Sequence, residues 1–134
     1  TELVQERQAQ GIQNNEVEQT EEYQDQFSFL TRLAEISPRS AVLEAFRIVE
    51  VAAAKKAARI YPDIESRHAK SPLQLQKLLK SEVLTKNEFH QFDQLRRLRN
   101  EAAHTEEFDV KGMPVEAYID IALSMASRLE AEHP

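Results

Sequence analysis

The chain is 134 residues long, carries a formal net charge of −6 at pH 7, and has two glycines, five prolines and no cysteine. That length accommodates one domain with a real core, but not a core plus a second folded unit. The lack of cysteine excludes disulfides, thiolate metal sites and cysteine nucleophiles, and no apolar run approaches the roughly 20 residues that cross a bilayer.

Abundant Ala, Leu, Glu, Gln, Lys and Arg lose little conformational freedom in a helix, so the expected fold class is all-α. The charge is unevenly spread. Residues 1–28 hold seven acids against Arg7, residues 47–99 hold twelve basic residues against six acids, and residues 100–134 hold eight acids against two basic residues. The basic middle could form a phosphate-attracting face on an acidic protein; alternating charges that solvate helix surfaces give the same pattern.

In chain order, residues 1–20 are rich in Glu, Gln and Asn with Gly11 among them, and read as an acidic linker or loosely helical arm ahead of a domain over residues 21–134. Over residues 21–36, Tyr23, Phe27, Leu30, Leu33 and Ala34 follow helical spacing. Ser37 as N-cap and Pro38 at the first helical position open a second helix to about Ile60. Its apolar residues wrap nearly the whole circumference, as expected of a helix surrounded by others. Ser71-Pro72-Leu73-Gln74 repeats the start signal for a short helix to about Ser81, with Leu75, Leu78 and Leu79 facing inward. Thr85-Lys86-Asn87-Glu88 is a capping box for a fourth helix. After a loop over residues 105–113, Pro114 opens a last helix carrying Val115, Tyr118, Ile119, Ala122, Met125, Ala126 and Leu129 as its apolar stripe. The expectation is four main helices and a short one. Phe27, Phe29, Phe46, Phe89 and Phe92 are expected in the core, which leaves no aromatic platform for stacking a base.

The fourth helix ends in Leu95-Arg96-Arg97-Leu98-Arg99-Asn100-Glu101-Ala102-Ala103-His104. Arginine holds a phosphate by paired hydrogen bonds at any working pH, and histidine titrates nearest neutrality, so Arg99, Asn100 and His104 could together bind and cleave a phosphodiester. At 100° per residue, Phe92, Leu95, Leu98 and Ala102 define an apolar arc into which Arg99 falls. A carboxylate partner such as Glu44 or Glu50 is therefore expected, or a crevice that receives a phosphate. Asn100 and His104 share a face, whereas Arg99 and His104 lie about 140° apart on one helix. They converge only if the helix stops just before His104 or a second subunit brings its own copy alongside, which hints at a site across a two-fold axis. Arg96 and Arg97 flank the trio as candidates for phosphate capture, with surface solubility as the plain alternative. Glu106, Glu107 and Asp109 follow the histidine and would repel a nucleic-acid backbone unless turned away. His68 and His90 are isolated, and no ligand spacing implies a metal or another cofactor.

Arg99-Asn100-Glu101-Ala102-Ala103-His104 resembles the R-x4-6-H signature of the HEPN superfamily, small all-helical modules known for metal-independent ribonucleases in toxin and defence systems. Asn100 fits the favoured polar position after the arginine. Leu95–His104 and the upstream Ser37-Pro38-Arg39-Ser40-Ala41-Val42-Leu43-Glu44-Ala45 are also similar to a little-characterised bacterial branch, some members of which carry membrane segments before the domain. The resemblance covers about residues 28–131. It implies a HEPN-like bundle forming a homodimer and an RNA substrate whose 2′-hydroxyl attacks the adjacent phosphate. His104 would serve as general base or acid, Arg99 would stabilise the transition state and Asn100 would orient the phosphate or imidazole. The superfamily also contains members that bind without cutting, so a noncatalytic interaction, sensing or dimerisation module is the competing expectation. The chain opens on Thr1 rather than methionine; a cytoplasmic location, with or without a tether to the inner face of a membrane through an upstream segment, is expected.

Overall fold

Each helix whose start is marked by a cap begins where a side chain takes over an orphan backbone amide. The Ser37 hydroxyl accepts from the amide of Ser40 at 3.1 Å. Ser71 and Gln74 form a reciprocal capping box. Thr85 and Glu88 form another, with Glu88 Oε1 accepting from the Thr85 amide at 2.9 Å and Thr85 Oγ1 from the Glu88 amide at 3.1 Å. The computed structural model describes residues 13–62, 71–80, 83–104 and 113–131. Among these it contains five α-helices and no strand: α1 Gln13–Ile36, α2 Pro38–Ile60, α3 Pro72–Leu79, α4 Lys86–His104 and α5 Val115–Glu130.

The all-α expectation holds, and α2 is central, since it packs against each of the other four helices. Its alanines at 41, 45, 52, 53 and 57 are buried and let neighbouring backbones approach closely, most extensively that of α5. Phe46 of α2 meets Phe92 of α4 edge to face, with ring centroids 5.7 Å apart. Leu30, Leu79, Leu95, Tyr118 and Ile119 are also among the fully buried large side chains. Burying each such side chain is worth about 1.5–3 kcal/mol. Three polar ties pin the periphery: Tyr23 of α1 donates its hydroxyl to Asp120 of α5, Arg59 of α2 donates to the Leu129 carbonyl at 2.9 Å, and Arg128 of α5 pairs with Glu88 of α4 at 3.3 Å.

Three expectations change. α1 begins at Gln13 rather than near residue 21: the stretch from 13 to 20 holds no glycine or proline to stop a helix, and two glutamates and two glutamines in it favour one. Phe29 is 54% exposed rather than buried, because it lies off the Phe27–Leu30–Ala34 stripe. α2 is not covered all round: Val51, Ala54 and Ala58 share an exposed strip, which small side chains tolerate at little cost. Residues 1–12 and 105–112, including Glu106, Glu107 and Asp109, lie outside the described residues, as does His68. Among the described residues no helix is long and apolar enough to cross a membrane.

Candidate functional site

The buried residues of α4 are Phe92, Leu95, Leu98 and Ala102, the arc the helical wheel predicts. Arg99 falls within this arc and is half-buried, and its Nη1 donates to Asn100 Oδ1 at 3.2 Å. Across from it on α2 lies Glu50, also half-buried. Burial pushes the Glu50 carboxyl above the ordinary glutamate range, and the Arg99 charge pulls it back. Glu44, the other candidate partner, is instead paired to Arg47 on its own helix at 3.0 Å.

The third member of the group is Tyr118 of α5, fully buried, whose hydroxyl donates to the Leu95 carbonyl at 2.9 Å. Burial drives its phenol far above the ordinary value, with Arg99 lowering it and Glu50 raising it. Glu50, Arg99 and Tyr118 thus come from three helices and act on one another through charge. Among the described residues no carboxylate forms a close ion pair with Arg99. A guanidinium so placed keeps donors for a further acceptor.

His104 is exposed and is the last residue of α4, so the helix reaches the histidine. At regular helical spacing Arg99 and His104 lie about 140° apart on one chain. Asn100, half-buried, stands between them and is brought against Arg99. His90 is exposed, its ring edge-on to Phe89.

Arg96 and Arg97 occupy a second cluster. Gln76 of α3 is 2% exposed; its Nε2 donates to Asp93 Oδ1 at 3.1 Å, and its Oε1 accepts from Arg96 Nε at 2.9 Å. Arg96 also donates to Asp93 Oδ1 at 2.8 Å, and Arg97 to Asp93 Oδ2 at 2.7 Å. The Asp93 carboxyl is consequently held down at about 2, chiefly by the Gln76 amide, then by Arg96 and, less strongly, Arg97. The Arg96 side chain is only 15% exposed and spends its donors inside the protein. Arg97, 72% exposed, keeps its outer nitrogens facing solvent while its Nε is held by Asp93.

Sequence reasoning passed over Asp93 and Gln76. The acid three and four residues before two arginines is a legible ion-pair signal; the burial of a glutamine on α3 is set by docking and has no local signature. Among the described residues no three His, Asp or Glu side chains gather where they could hold a metal ion. Compared with known proteins, the chain matches no family model, no curated protein and no solved structure.

Proposed function

We propose that this chain is a HEPN-type RNA-binding or RNA-cleaving module whose site is completed by two copies of the chain. The observation that carries the reading is the end of α4: a half-buried Arg99 braced by Asn100, with His104 exposed on the next turn of the same helix. Arg99 supplies the phosphate-binding fork, Asn100 fixes its orientation, and His104 moves the proton of the attacking 2′-hydroxyl or of the leaving oxygen. Because Arg99 and His104 diverge on one helix, the productive pair is Arg99 of one protomer with His104 of the partner subunit, in a two-fold homodimer. Arg97, more exposed than Arg96, is the better placed of the two flanking arginines to meet a backbone phosphate.

The experiment is cleavage of a mixed RNA pool by the purified protein in EDTA, with His104→Ala alongside. Cleavage by the wild type alone, leaving 2′,3′-cyclic phosphate ends, supports the reading.

A second reading, a noncatalytic interaction or dimerisation module, is favoured by Glu50 lying beside Arg99 and by Arg96 being committed to Asp93 and Gln76. Here the motif fastens helices. Loss of salt-sensitive RNA binding in a folded Arg99→Ala protein supports the first reading; a sharp fall in its melting temperature, with no RNA binding by the wild type, supports the second.

A further inference from the structure

Away from the end of α4, the outer side of α1 presents large apolar side chains to solvent. Ile36 is 85% and Phe29 54% exposed, and Leu33 between them is half-buried at the margin of the core. At 100° per residue Phe29 and Ile36 stand only about 20° apart, one heptad along the same face. The other side of α1 is spent on α2 and α5. Charged side chains accompany the uncovered stripe: Glu22 and Asp25 before Phe29 and Arg32 after it, all exposed. Asp25 and Arg32 lie on the same flank of the stripe, about two turns apart, and among the described residues neither belongs to an ion pair.

Set against the same face of a second copy, the two possible orientations differ in charge. In a parallel pair each residue meets its own equivalent, so Asp25 faces Asp25 and Arg32 faces Arg32, which is repulsive. In an antiparallel pair about a two-fold axis beside Phe29, heights along the helix invert. Asp25, about 6 Å before Phe29, then comes level to within about 1.5 Å with the partner's Arg32, about 4.5 Å beyond it. The two-fold keeps both on the same flank and repeats the contact. The two Phe29 rings meet at the axis, and Ile36 lies over the methylene stem of the partner's Glu22. One orientation therefore matches the apolar stripe and the charges together.

We infer that the exposed face of α1 docks antiparallel on α1 of a second copy of this chain, covering Phe29 and Ile36 and joining Asp25 of each copy to the partner's Arg32. An apolar helix of another protein would also cover the stripe, but a second copy is the occupant whose charges this face itself specifies. The surface lies on α1, apart from Arg99 and His104, so the inference goes beyond the function proposed above and does not rest on it. A chain that also pairs through α4 assembles beyond the dimer.

The test is sedimentation equilibrium of the full chain between about 10 and 500 µM, because a single helix pair is at the small end of specific interfaces and associates weakly. Phe29→Glu is expected to halve the mass that the wild type reaches: dimer to monomer, or tetramer to dimer where the α4 pairing also forms, so failure of one interface is told apart from failure of the other. Asp25→Arg and Arg32→Asp are each expected to weaken association about tenfold, and the double reversal to restore it, which no merely structural role would do. Since the chain has no cysteine, added thiols report the direction of pairing. An equal mixture of Glu22→Cys and Ile36→Cys copies is expected to form an intermolecular disulfide at least about tenfold faster than either variant alone. The inference is overturned if the wild type reaches no greater mass than Phe29→Glu, which leaves the face to a different partner. It is also overturned if the double reversal stays as weak as the single changes, or if either cysteine variant links to itself as fast as the mixture does.

Discussion

The hydroxyl of Tyr118 donates to the backbone carbonyl of Leu95 at 2.9 Å, the carbonyl that the helical ladder also offers to the amide of Arg99. α5 thus braces the turn of α4 from which the candidate phosphate-binding guanidinium projects. Tyr118→Phe removes this bond alone, and urea unfolding is expected to show a loss of about 1 kcal/mol. Tyr118→Ala also empties a fully buried site and is expected to cost about 3–5 kcal/mol. Equal effects of the two changes would mean that the hydroxyl contributes little and packing alone positions the turn.

Asp93 gives the fold an acid-sensitive tie. Its carboxyl is depressed from 3.8 to about 2 by Gln76, Arg96 and Arg97. A folded-state value below the unfolded one means the stabilisation is fully present above about pH 4 and is lost as pH falls from there toward 2. With solvent reaching one edge of the carboxylate, about 1–2 kcal/mol is at stake. Asp93→Ala is expected to flatten the fall of unfolding free energy between pH 4 and 2. At neutral pH it should cost about 2–3 kcal/mol, because Arg96 and the buried Gln76 amide lose their acceptor. An unchanged acid limb in this variant would show that the carboxylate titrates as it does in the unfolded chain.

Glu50 has the opposite sign. Burial raises its carboxyl more than Arg99 lowers it, so the ionised form is penalised in the folded state at neutral pH and the penalty is relieved as the solution becomes acidic. Glu50→Gln keeps the shape and removes the charge. Its melting temperature at pH 7 is expected to equal or exceed that of the wild type by up to about 2 °C, with the difference vanishing below the ordinary glutamate range. A drop of several degrees would identify Glu50 as an obligatory counterion of Arg99 and would strengthen the fastening reading of the motif.

Much of this architecture is legible from local chemistry. Ser37, Ser71 and Thr85 mark helix starts because their side chains cap within three residues, and the burial of Phe92, Leu95, Leu98 and Ala102 follows from periodicity alone. What is not legible depends on neighbours distant in sequence. Phe29 has the composition of a core residue at a position that points away from the core. Gln76 is buried because α3 docks against Asp93 and Arg96, 17 and 20 residues further along the chain. At the candidate site the half-burial of Arg99 follows from the wheel, whereas the choice of Glu50 over Glu44 as the carboxylate that feels its charge is set by how α2 docks on α4. The role of Tyr118 is not legible either, since its spacing marks it only as core and its hydroxyl finds a backbone acceptor on another helix.

His104 is exposed, so its removal tests the proposed cleavage at little cost in stability. His104→Ala is expected to change unfolding free energy by less than about 0.5 kcal/mol while reducing cleavage roughly 10²- to 10⁴-fold. The composite arrangement makes a sharper claim. In the proposed homodimer neither Arg99→Ala nor His104→Ala copies would hold a complete site, but a mixed dimer would place the intact Arg99 of one protomer against the intact His104 of its partner at one of its two sites. When the two inactive variants are unfolded together and refolded as an equal mixture, half the dimers are mixed, and about a quarter of wild-type cleavage should return. If the mixture stays inactive although mixed dimers form, Arg99 and His104 act within one chain. The divergence of the two side chains on α4 would then have to be resolved by a change in the last turn of that helix.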